Sequence, residues 1–243
     1  MHSPFVFALV TKCFYDKKKY REYHVLENYR KSLLENKNTI EVTDFGAGSR
    51  VFKSNKRSIG QIAKHAGITS KRAKLLFRMA QYFEPENILE IGTSVGLATS
   101  ALSMGNPKAK ITTLEGCAET AGIAKEQFQK FGLNNVEIKV TEFGQYLKST
   151  TQNPEPTTNN WQLIYFDGNH QKQATLDYFH ALLPTATNDS VWIFDDIHWS
   201  SAMEEAWETI KKCPKVTVAI DTFRWGMVFF RKEQEKEHFT IRI

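Results

Sequence analysis

Asn87-Ile-Leu-Glu-Ile-Gly-Thr-Ser-Val-Gly-Leu-Ala-Thr-Ser100 decides how the rest of the chain is read. A short apolar run enters a turn that carries Gly92 and Gly96, and small, helix-compatible residues follow. Strand, glycine turn and helix in that order present backbone N–H groups and a helix N-terminus to a ligand at the carboxyl edge of a parallel sheet.

Downstream of this stretch, short β-rich runs alternate with helix-sized ones. Strands are expected near 87–91, 110–115, 136–141, 162–167, 190–195, 216–221 and 226–231, with helices such as 118–131 and 171–183 between the first five. Such alternation implies a parallel sheet covered on both faces. Val216-Thr-Val-Ala-Ile-Asp221 and Gly226-Met-Val-Phe-Phe-Arg231 are too close in sequence for a crossover, so they form an antiparallel pair at one edge. The expected fold class is α/β: a doubly wound, seven-stranded, mostly parallel Rossmann-like sheet with an antiparallel edge strand and a helical N-terminal extension.

Upstream, the chain divides into a mostly helical extension or cap over residues 1–70 and the α/β domain over 71–243. Lys17-Lys-Lys19 with Tyr20, Arg21 and Tyr23 could touch nucleic acid, but a charge run on a helix is usually a solvated face. Asp44-Phe-Gly-Ala-Gly-Ser-Arg50 copies a nucleotide-binding turn, yet the polar Val51–Ser58 run behind it lacks the apolar period of a helix. We read it as a glycine loop or lid and not as the ligand turn. Ile62 to Phe77 has the outline of a helix-turn-helix DNA reader, with Lys71, Arg72 and Lys74 on its second helix. The same helix places Ala73, Leu76, Phe77, Ala80 and Phe83 on one face, which favours covering a sheet.

With 243 residues and a net charge of +5, the chain is long enough for a full core and permits an anionic partner without requiring one. Cys13, Cys117 and Cys213 share no metal-like spacing and suit a reducing, cytoplasmic setting. The apolar opening Pro4–Val10 is too short to cross a bilayer and is expected to pack as a helix, so no membrane partner is expected.

A dinucleotide turn would need glycine at Ser94 and again at Leu97. Their absence argues against a pyrophosphate ligand, and the nearby Glu90 would repel one while attracting a cation such as the sulfonium of S-adenosylmethionine. Glu115 ends the second strand roughly 20 positions beyond the turn, the spacing at which doubly wound folds place a ribose-binding carboxylate; its alternative is an N-cap for the helix from Ala118. Thr141, Glu142 and Phe143 follow the third strand, where a base-contacting group is expected. Strands four and five end in Phe166-Asp-Gly-Asn-His170 and Phe194-Asp-Asp-Ile-His198. If Glu90, Asp167 and Asp195 share one crevice, their charges need protons or a cation such as Mg²⁺. Asp195 and Asp196 can act together only where the strand has already ended.

Over Leu75–Arg231 the chain resembles the class I S-adenosylmethionine-dependent O-methyltransferases of the catechol and caffeoyl-coenzyme A type and their bacterial relatives. The resemblance rests on Glu90-Ile-Gly-Thr-Ser-Val-Gly96, Glu115, Phe166–His170 and Phe194–His198. It implies S-adenosylmethionine as cofactor, held by Glu90, Gly92, Thr93, Ser94, Gly96, Glu115 and Asp167, and a divalent metal held by Asp167, Asp195 and Asp196. In that family a lysine three residues past the first acid is the base; His170 stands there in this chain, and Asp196 replaces an asparagine.

The implied reaction is displacement at the sulfonium methyl by a hydroxyl whose proton His170 removes, with Asp167 as its catalytic neighbour. Trp192, Trp199 and Trp225 could wall an aromatic acceptor. The favoured acceptor is a small molecule. A tRNA or rRNA substrate, or a nucleic-acid-binding regulator on a vestigial methyltransferase fold, is the alternative, and the first 70 residues could select substrate or form a homodimer surface.

Overall fold

The structure, a computed structural model, describes residues 3–43, 54–152 and 160–243. The glycine loop at 44–50 lies outside them. Eight strands form the main sheet, and their alternating side chains divide the core in two. Ile88, Ile111, Leu163, Tyr165, Val191, Ile193, Val218, Ile220, Met227 and Phe229 face one layer. Their neighbours Leu89, Leu114, Ile164, Phe166, Trp192, Phe194, Ala219 and Val228 face the other. Full burial on both faces is why these strands read as near-continuous apolar runs.

In chain order the elements are helix α1 (Pro4–Leu9), α2 (Glu22–Leu34), the short pair β1 (Thr39–Glu41) and β2 (Lys56–Ser58), α3 (Ile59–His65) and α4 (Ser70–Phe83). The regular part follows: β3 (Asn87–Ile91), α5 (Leu97–Gly105), β4 (Lys110–Glu115), α6 (Ala118–Lys130), β5 (Val136–Val140), α7 (Phe143–Gln152), β6 (Leu163–Phe166), α8 (Lys172–Leu182) and β7 (Val191–Phe194). Then come α9 (Ser201–Lys212), β8 (Val218–Asp221), β9 (Gly226–Phe229) and β10 (Glu237–Thr240). The sheet order is β10-β8-β9-β7-β6-β3-β4-β5, with β9 antiparallel to both β7 and β8. All seven expected strands are present.

Two differences stand out. An eighth strand, β10, pairs parallel with β8 at the edge. Its alternation of half-buried and exposed residues in Glu237-His-Phe-Thr240 is too short and too polar to read as a strand without its partner. The polar run behind the glycine loop also holds an unexpected strand, Lys56–Ser58, which pairs antiparallel with Thr39–Glu41 in the strand-like Thr39–Thr43 segment.

The N-terminal helices belong to the same core as the sheet. One apolar cluster runs from Val6 through Leu33, Phe77 and Ile88 to Ile241. Phe5 lies edge-on to Phe229 of β9 at 5.0 Å between centroids, and Tyr15 donates to the Arg242 carbonyl. Tyr20 and Tyr23, next to the basic run, pack on Phe77 at 5.1 and 5.4 Å. On α4, Ala73, Leu76, Phe77 and Ala80 are buried, as expected for a helix that covers a sheet, and Phe83 is partly so. Two of its cations are engaged by acids of this chain, Arg72 with Asp195 and Lys74 with Glu27.

Among the described residues, no helix is long and apolar enough to cross a membrane.

Candidate functional site

Strand order reverses between β3 and β6, which opens a crevice at their carboxyl ends. A cleft of about 250 Å³ occupies it, with the glycine turn, the end of β4 and the Asp167–Asn169 turn among its walls. The turn is built to fit. Gly92 has φ +104°, and a Cβ there would stand 2.4 Å from the Asp167 carbonyl oxygen, so only glycine lets the β3 and β6 turns approach this closely.

Gly96 serves the turn from beneath. It starts α5 at φ +78°, and a Cβ would meet Phe128 and the Tyr29 hydroxyl at 2.5 and 2.6 Å. That hydroxyl donates to the Val95 carbonyl at 3.0 Å, so α2 of the N-terminal region braces the turn directly.

Glu115 lies at the cleft wall with its carboxylate fixed by two backbone donors, Ser94 N–H at 2.8 Å and Cys117 N–H at 2.9 Å. This joins the glycine turn to the acid at the end of β4 and holds its carboxylate at the cleft wall. Thr141, Glu142 and Phe143 line the cleft, as their position after β5 suggested. Gly92, Ser94, Glu115 and Asp167 of the expected cofactor set also line it.

Glu90, Thr93 and Gly96 are not among the residues that line the cleft. Glu90 sits inside β3, before the strand ends, and its side chain is wholly buried. One carboxyl oxygen accepts from Thr99 and Thr113, each at 2.5 Å, and Thr113 shares a further bond with Thr93. The other oxygen has no partner among the described residues. Burial pushes the carboxyl up to about 8, against the pull of those hydroxyls. Glu90 therefore does not join Asp167 and Asp195 in one crevice.

Asp167 and Asp195 do come together. Asp195 follows the last residue of β7, and Asp196 has φ +51°, so the strand has ended where both acids stand. Burial, reinforced by the neighbouring Asp195 charge, holds Asp167 well above the usual carboxylate range. Asp196 is shifted up by the same two causes and lies 3.8 Å from the Arg224 guanidinium.

The three aspartates do not form a metal-ligand set. Arg72 Nη1 donates to both Asp195 oxygens, at 2.7 and 2.8 Å; Tyr165 hydroxyl donates to one at 3.1 Å and Asp196 N–H to the other at 2.8 Å. A carboxylate has about four lone-pair sites, and these donors compete for them with the Asp167 side chain, which also hydrogen-bonds Asp195. Among the described residues, no group of three or more His, Cys, Asp or Glu side chains is placed to hold a metal ion.

His170 Nε2 lies 3.9 Å from Asp167 Oδ1, partly exposed, with its ring 6.5 Å from that of Trp199. His198 is held between Asp221 and Glu204 at 2.9 and 3.1 Å. Partial burial lowers its affinity for a proton, but those two carboxylates outweigh it and raise the pKa. Of the three tryptophans, Trp192 and Trp225 are core residues and do not wall an acceptor site. Trp199 alone stands beside His170.

Sequence reasoning missed Val42, Thr43, Arg57, Ile62 and Ala66, which line the cleft from the N-terminal region. They carry no motif; only the packing of β2 and α3 beside the turn brings them there. Asn169 and Tyr178 also line it, joined by a hydrogen bond of 3.3 Å. The Asn169 position in the Asp167–His170 motif was a usable signal.

The comparisons agree with this architecture. A family model described as a methyltransferase domain matches residues 89–197. No curated protein gives a significant sequence match. A Podospora anserina methyltransferase solved with S-adenosylhomocysteine is similar in fold, with a TM-score of 0.66 at 15% identity, over 96% of this chain and 97% of that one. An O-methyltransferase of Bacillus cereus, also with S-adenosylhomocysteine, gives 0.59 at 17% identity over 92% and 96%. An O-methyltransferase from Streptomyces achromogenes that acts in tomaymycin synthesis, in complex with S-adenosylmethionine, gives 0.62 at 15% identity over 93% and 95%. Residues 89–197 thus match a methyltransferase-domain model, within a chain that shares the Rossmann-like methyltransferase fold over nearly its whole length.

Proposed function

We infer that this protein is an S-adenosylmethionine-dependent methyltransferase that methylates a hydroxyl group on a small molecule. The observation that carries the reading is Glu115, held by the amides of Ser94 and Cys117 at the wall of a cleft floored by Gly92. A fixed carboxylate suits ribose hydroxyls, and the Thr141–Phe143 segment beside it suits a flat base. The names of the similar structures support O-methyl transfer.

Bound S-adenosylmethionine would supply an activated methyl group on a sulfonium. The chain has to orient an acceptor and accept a proton, and orientation alone contributes up to roughly 7–11 kcal/mol in well-aligned reactions. His170 lies just outside the cleft lining, partly exposed, beside the lining residue Asp167 and close to Trp199, and we assign it as the base toward an acceptor bound at that edge.

The test is transfer of labelled methyl from S-adenosylmethionine to hydroxylated aromatic compounds and to bulk RNA. Label on the small hydroxylated compounds supports the reading; label on RNA alone contradicts it. His170→Ala should lower kcat by roughly 10²–10⁴-fold with cofactor affinity nearly unchanged. Equal losses in both would show that His170 belongs to the cofactor site.

A further inference from the structure

Arg72 stands in the first turn of α4, where the helix dipole disfavours a cation and where Lys71 adds a second positive charge. No acid in that turn offsets them. The compensation lies across the fold, at the end of β7. Asp195 is 4% exposed and receives one guanidinium nitrogen on both oxygens, with Tyr165, the Asp196 amide and the Asp167 side chain as its further partners. Thr69 caps the same turn by accepting from the Arg72 N–H, which fixes the residue on the helix. The ring of Trp225 lies 5.9 Å from the guanidinium carbon.

The geometry points to Arg72 as the resident cation of this carboxylate cluster, filling the electrostatic place of a divalent metal, so that the protein works without one. This deepens the methyltransferase reading and assigns Arg72 as a positioning residue that acts through Asp195. A guanidinium is permanently charged and directional, so it neutralises Asp195 while fixing its orientation. Asp195 in turn borders Asp167, the acid nearest His170. Helix α4, which leads into the first strand of the main sheet, thus supplies Asp195 with its cation.

The test uses the full chain and reads metal binding and melting, neither of which depends on methyl transfer. Titrated with Mn²⁺ and followed by electron paramagnetic resonance, the wild type should take up no ion up to about 1 mM, the weak end of protein carboxylate sites. EDTA should leave its melting temperature and any turnover unchanged. Arg72→Ala exposes the aspartates: its melting temperature should fall by roughly 10 °C, and Mn²⁺ should bind and restore part of that loss. Arg72→Lys, the milder variant if the alanine form does not fold, keeps a charge and should bind no Mn²⁺.

A merely structural arginine would give the melting loss without any gain of Mn²⁺ binding, and that result overturns the proposal. Tight Mn²⁺ binding by the wild type overturns it as well. Failure of the wild type to bind S-adenosylmethionine would instead count against the proposed function and leave these metal readouts intact.

Discussion

Glu90 shows how far one residue can be read from its neighbours in sequence. Its place before the glycine turn suggested a ligand-facing carboxylate, but strand alternation turns it inward onto Thr99 and Thr113. The pattern gives strand and turn; which face each side chain takes depends on where β3 ends. Glu90 holds its proton in the folded state up to about 8 and loses it near 4.5 when exposed. Over that window the folded chain binds the extra proton, so stability falls as pH rises, by at most about 1.4 kcal/mol per pH unit. Thermal unfolding followed between about pH 5 and pH 8 should show this decline, and Glu90→Gln should make it shallower, with the raised Asp167 and Asp196 contributing the remainder. A wild-type profile as shallow as that of the variant would mean that Glu90 is charged in the fold.

Among elements, the β3–turn–α5 unit was legible because each of its parts has a local cause: an apolar strand, glycines at positive φ and small helix residues. The parallel strands were legible for the same reason. What could not be read was the brace beneath the turn. Tyr29 lies on α2, far away in sequence, and nothing in its surroundings marks it as the partner of Val95. Tyr29→Phe removes one buried hydrogen bond and leaves the Val95 carbonyl short of a donor, a loss of about 1–3 kcal/mol. Denaturant unfolding should show that loss with an unchanged m-value. Cofactor affinity should fall as well, because the turn loses its support; unaltered affinity would mean that the turn holds its shape without α2.

For the whole molecule, the division at residue 70 between a mostly helical extension and the α/β part crosses a continuous apolar cluster, from Val6 on α1 to Ile241 past β10. A fragment beginning at residue 71 would expose Phe77, Phe229 and the apolar face of α5. It should be insoluble or show no cooperative melting transition; a fragment that melts cooperatively near the full-chain temperature would make the N-terminal region a separable cap. The sequence conveyed the sheet and its cleft but not this dependence, because long-range packing has no local signature. The Asp167–Asp195 pairing was legible from strand order. Its arginine was not, since Arg72 read only as one of three cations on a possible DNA-facing helix.

The measurement that bears most directly on the central claim is calorimetric titration of the full chain with S-adenosylhomocysteine, wild type beside Glu115→Ala. The account predicts saturable wild-type binding with one site per chain. Loss of the carboxylate proposed to hold the ribose should weaken it by roughly 10–100-fold, the worth of one charge-assisted hydrogen bond or slightly more. No wild-type binding at millimolar ligand, or equal affinity in the two proteins, would contradict it.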